Sequence, residues 1–228
     1  MTESAQSAAQ SSAQSAEYRL HCFAQSGNAY KVALMLELAG ADWQPLWVDF
    51  FNGGTRAPDF KALNEMAEVP VLQHRGKTLS QSGVMLDYLS GTLGRFGPND
   101  DDERREILRW MLWDNHKLTS PIATLRWMLN FGPAGVIDPA VITYLRSRSA
   151  GALKTLDAHL KDRAYIVADR LTTADLSVIG YLYFPDEFGL DWKEYPAVAA
   201  WTERIAAEPR WKHPYELMPG HPLPQKAA

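Results

Sequence analysis

Two short stretches of this 228-residue chain pair polar donors with the start of a helix, and chemistry would begin there. In the first, QSGN at 25–28 follows a strand-like run and precedes a helical pattern, so Ser26 and Asn28 stand at a helix mouth. A hydroxyl and an amide beside unpaired backbone N–H groups can hold an anion; either can equally do no more than cap the helix. In the second, Gln81 and Ser82 open another helical pattern, where the Ser82 hydroxyl and backbone N–H suit a carboxylate or, again, a cap. Between the two lies Val69-Pro70, at the head of a strand-like run. Arg56 sits in the loop FNGGTRAP (51–58), as an anion partner or as a solvated surface charge.

Other chemistries are poorly supplied. The single cysteine, Cys22, lies inside the first strand; it excludes an internal disulfide framework and any CxxC motif, and fits a buried core thiol. Six histidines are scattered with no HxxxH pair, so no metal is expected. With 23 basic and 27 acidic residues the net charge is −4, which leaves no concentrated basic face for nucleic acid. No apolar run approaches the roughly 18 residues of a membrane span. The first sixteen residues are Ala, Gln and Ser for the most part, without the basic start and apolar segment of a signal peptide. A disordered tail over 1–17 and a cytoplasmic protein are expected.

The elements that must position these residues fall into two groups. YRLHCF (18–23) reads as a buried strand. Val32, Met35, Leu36 and Ala39 recur at helical spacing, with Gly40 where a C-cap glycine belongs. Residues 43–50 return to strand character, making a βαβ unit with parallel strands. A helical turn at 59–63, two short strands around the turn at 75–77, and a helix over about 82–90 complete a βαβ-ββα order. This predicts a four-stranded mixed sheet over 18–90. GTLGRFGPNDDD (91–102) is the best boundary, with a linker at 91–100. Everything from 101 to 216 reads as helical. A long pattern over 101–130 is interrupted at Pro121, which should bend or break it, and Asp138-Pro139 starts a second long helix. Thr172 and Asp175 form a capping-box-like start to a buried helix through about 184, and a last helix lies near 196–207. A flexible tail is expected over 217–228.

From 18 to about 211 the chain resembles the glutathione transferase superfamily, most closely its serine-type and bacterial branches. The resemblance is carried by SGNAYKV (26–32), NEMAEVPVL (64–72), SQSGVMLDYL (80–89) and LTTADLSVIGYL (171–182), in this order and spacing. Many relatives have Asn-Pro at the position of Asn64 and Glu65, and a glycine where Ala67 stands. The resemblance implies an α/β thioredoxin-like domain followed by an all-α helical bundle domain. It also implies a homodimer, with the long helix of one subunit against the first domain of the other.

It further implies glutathione as co-substrate and thiol activation as the chemistry. A thiol with a pKa of about 8.5 is only a few per cent thiolate at neutral pH. Lowering that by about two units needs nearly 3 kcal/mol of preference for the anion. One hydrogen bond to a charged group supplies about 1.5–3 kcal/mol, and a helix N-terminus about 0.3–1 more. No metal or second cofactor is required. By the resemblance Ser26 or Asn28 holds the thiolate, and the choice between them stays open. A cis Val69-Pro70 would pair the cysteinyl backbone, Gln81 and Ser82 would hold the γ-glutamyl carboxylate, and Arg56 the glycyl one. Trp110, Trp113 and His116, with Trp127, would line the pocket for a second substrate, an apolar electrophile whose conjugation serves detoxification. Two other functions share the architecture: glutathione-dependent reduction of a disulfide or peroxide, and a non-catalytic binding module.

Overall fold

The computed structural model describes residues 16–132 and 137–220; the expected N-terminal tail lies outside them up to residue 15. Strand β1 (Tyr18–Cys22) alternates, burying Tyr18, Leu20 and Cys22. Helix α1 (Gly27–Ala39) follows a turn, with Ser26 as its N-cap and Gly40 closing it at φ 71° in the left-handed region that glycine favours. After β2 (Trp43–Trp47) and the short α2 (Pro58–Leu63) come β3 (Val71–His74) and β4 (Lys77–Ser80). The sheet order is β2-β1-β3-β4, with β1 parallel to β2 and antiparallel to β3, and β4 antiparallel to β3. Pro45 is tolerated within β2 because that strand is an edge. Helix α3 (Ser82–Leu93) runs past the expected linker start, and Gly94 at φ 63° ends it. This is the mixed sheet of a thioredoxin-like domain.

The second domain is helical: α4 (Asp101–Trp113), α5 (Ser120–Asn130), α6 (Pro139–Leu160), α7 (Thr173–Val178), α8 (Pro185–Phe188), α9 (Pro196–Ala206) and α10 (Pro214–Leu217). Between α4 and α5 the chain does not break at Pro121. It widens into a π-helical turn over Asp114–Thr119 and then resumes, because a proline in the first turn of α5 has no N–H to give to the preceding turn. Helix α7 is shorter than expected: a 3-10 turn, Ile179–Tyr181, carries the chain onward against α1. The tail expected from 217 is packed as far as 220. Leu217 and Met218 are buried, and the Ala24 N–H donates to the Pro219 carbonyl at 2.7 Å.

One apolar core runs through both domains, joining Leu20, Val32, Leu36, Leu72 and Met85 to Ile107, Leu156, Leu176 and Trp201. Across it lies a buried ion pair, Lys31 Nζ to Asp114 Oδ2 at 2.8 Å. Thr119 Oγ1 and Ser177 Oγ donate to the same carboxylate, at 2.7 Å each. A buried pair left with one partner is costly, so this network fixes α1 against the helical domain.

Candidate active site

A turn of four residues carries the chain from β1 into α1, and Ser26 takes an extended conformation (φ −87°, ψ 106°) to begin the helix. Its Oγ accepts from the Ala29 N–H at 3.2 Å, so it does cap. Ser26 is buried and Asn28 half-buried; the Asn28 Oδ1 is itself buried and has no hydrogen-bond partner among the described residues. Both residues line a cleft of about 250 Å³ together with Val69 and Glu68. The Val69-Pro70 peptide is cis. Opposite walls are aromatic: Phe23, Phe50 and Phe51 from the first domain, Trp127, Phe131 and Tyr181 from the second.

The cation in that lining is Arg126, and it is already engaged. Its Nε donates to Glu187 Oε2 at 2.6 Å, its Nη2 to the Tyr215 hydroxyl at 3.3 Å, and its Nη1 to the Gln25 carbonyl; the guanidinium lies 3.8 Å from the Phe184 ring centre. Arg126 therefore braces the turn before Ser26 against the helical domain.

The other expected residues are distributed differently. Gln81 and Ser82 border a second cavity, of about 450 Å³, between α3 and α4. Gln81 Nε2 donates to Glu68 Oε2 at 3.1 Å, so Glu68 joins the two cavities. Pro70 is buried beneath Val69 rather than in the lining. Arg56 is exposed, does not line the cleft, and folds over Gly53, where a Cβ would stand 2.9 Å from its Nη2. Cys22 is buried, and burial pushes its thiol up to about 12, so it is an inert core residue.

Trp110, Trp113 and His116 lie outside the lining of that cleft. Trp110 is core: its ring meets Trp113 at 5.0 Å and His159 of α6 at 4.4 Å. Trp113 is part-buried on that same side, and His116 is exposed in the π turn. The cleft is walled instead by α5, through Ala123, Arg126 and Trp127. The extra residue of a π turn rotates the following helix, so faces counted along α4 do not carry into α5. Tyr181 went unpredicted; its signal in the sequence is Gly180, the small residue that lets the 3-10 turn approach α1.

Residues 17–91 match the family profile described as glutathione S-transferase, N-terminal domain, and residues 132–209 the corresponding C-terminal domain. The chain is 30% identical to glutathione S-transferase theta-2 of Mus musculus, over 74% of this chain and 72% of that protein. It is 27% identical to the disulfide-bond oxidoreductase YfcG of Escherichia coli, over 82% and 89% respectively. The crystal structure of a possible glutathione S-transferase from Rhodopseudomonas palustris superposes with a TM-score of 0.77 at 32% identity, covering 87% of this chain and 97% of that one. The protein belongs to the glutathione S-transferase family.

Proposed function

We propose that the chain is a glutathione transferase whose cleft at the mouth of α1 holds the tripeptide with its sulfur against Ser26 and Asn28. The thiol proton leaves to solvent and the thiolate attacks an electrophilic carbon R–X, so that a C–S bond forms and X departs with the bonding pair. Ser26, Asn28 and the positive end of the α1 dipole supply the anion preference that thiol activation requires. Val69 borders the cysteinyl portion. Gln81 and Ser82, reached through Glu68, take the γ-glutamyl end. The aromatic wall gives the second substrate its apolar surface. What carries this reading is the meeting of Ser26, Asn28 and Val69 with that wall in one cleft. The family also suggests a homodimer. Val84, Leu108 and Leu112, about half or more exposed beside the second cavity, are the surface it would cover.

A second reading is reduction of a mixed disulfide: the thiolate attacks glutathione's sulfur in R–S–SG, giving oxidised glutathione and R–S⁻. The relation to a disulfide-bond oxidoreductase favours it, and the chemistry needs no cysteine in the cleft. The test is retention on immobilised glutathione, then turnover with an aryl halide and with a mixed glutathione disulfide. Conjugation is expected to dominate. Disulfide turnover alone moves the protein to the second reading, and retention with neither activity makes it a binding module.

A further inference from the structure

Tyr181 comes from the helical domain yet sits on the first turn of α1, beside Ser26 and Asn28. A pair of glycines makes this approach possible. A Cβ on Gly27 would stand 2.5 Å from Tyr181 Cδ2 and 2.6 Å from the Gly180 carbonyl oxygen, and one on Gly180 would stand 2.8 Å from the Gly27 carbonyl oxygen. No side chain fits at either position without displacing backbone. The tyrosine ring is thus held flush against the helix start by two backbones in contact.

We propose that the Tyr181 hydroxyl is a further donor to the glutathione sulfur, a catalytic group supplied across the domain boundary. This rests on the glutathione reading above. Among the described residues the Ser26 hydroxyl accepts from the Ala29 N–H. The Tyr181 ring lies against that same first turn, in one lining with Ser26 and Asn28. A phenol at a cleft wall has a proton to give to an acceptor bound there, and a sulfur resting on Ser26 would lie in the same cleft. Burial raises the Tyr181 phenol, so the group stays protonated and donates. The charged groups near it are Arg126 of α5, whose guanidinium lies 5.9 Å from the ring centre, Asp114 of the π turn, and Lys31 of α1, whose side chain lies against Gly180 and pairs with Asp114; Glu68 lines the same cleft. Glycines at 27 and 180 and a tyrosine at 181 then have one joint purpose: they complete the thiolate site from the far side.

The test is Tyr181→Phe, which keeps the ring on Gly27 and removes the oxygen. Bound glutathione is titrated by its ultraviolet thiolate absorbance in both proteins. The midpoint is expected to rise by about one pH unit in the variant, with turnover below the midpoint down about tenfold and recovering at higher pH. Packing alone would shift melting and leave the midpoint in place. An unmoved midpoint, with a thiolate band in the wild type, overturns the role of Tyr181 and leaves the glutathione reading standing. Absence of glutathione binding in the wild type removes both. Should the phenylalanine variant fail to fold, 3-fluorotyrosine at 181, a stronger donor of the same shape, is expected to lower the midpoint; no change would again overturn the proposal.

Discussion

At the mouth of α7 the capping groups Thr172 and Asp175 are fully engaged. Asp175 accepts from the Thr172 N–H and hydroxyl at 2.9 Å each, from the Ile166 N–H at 2.9 Å and from Trp201 Nε1 at 3.0 Å, all of them buried. At the mouth of α1, Ser26 satisfies one N–H at 3.2 Å, the Asn28 Oδ1 has no partner among the described residues, and the turn opens onto a cleft. Both helices begin with a hydroxyl cap. A closed mouth spends its polar groups on stability, whereas an open one keeps some of them for a ligand. Substitutions at the two mouths should therefore separate stability from activity.

The largest effect is expected at the closed mouth. Asp175→Ala strands four buried donors, and denaturant unfolding should show a loss of about 4 kcal/mol, since each unsatisfied group costs roughly 1–3; the folded fraction should retain its activity. At the open mouth the pattern should reverse. Ser26→Ala is expected to lower turnover by about 10- to 100-fold, the worth of one hydrogen bond to an anion, and stability by only about 1 kcal/mol. Full activity in Ser26→Ala with a large loss in Asn28→Ala would transfer the role to Asn28. Trp127→Ala, on the cleft wall, should raise KM for an apolar electrophile by about 3- to 10-fold, while Trp110→Phe leaves it unchanged. The smallest effect lies in the backbone of the cleft lining. Ala67 is held at φ 56°, in the left-handed region, and Ala67→Gly should raise stability by about 1 kcal/mol in thermal unfolding.

The legible parts of this protein are its local ones. Strand, turn and helix over 18–40 follow from alternation, a cap and a C-cap glycine, each set within a few residues. Thr172 and Asp175 announce their capping box in the same way. The glycine that the resemblance implies where Ala67 stands would suit the left-handed backbone there. What stayed hidden depends on distant packing. The π turn at Asp114–Thr119 changes which aromatic residues face the cleft, and nothing short of the fold reveals that the α5 residue Trp127 faces it while Trp110 does not. Tyr181 reaches α1 only because Gly27 and Gly180, far apart in the sequence, meet across the domains. Residues 217–220 look like an unpatterned end, yet they cover Ala24 at the turn before Ser26.

A crystal structure of the glutathione complex tests the central claim most directly. The tripeptide's sulfur is expected within hydrogen-bonding reach, about 3.5 Å, of the Ser26 hydroxyl or the Asn28 amide. A tripeptide bound elsewhere, or seated in the cleft with its sulfur beyond both groups, would contradict it.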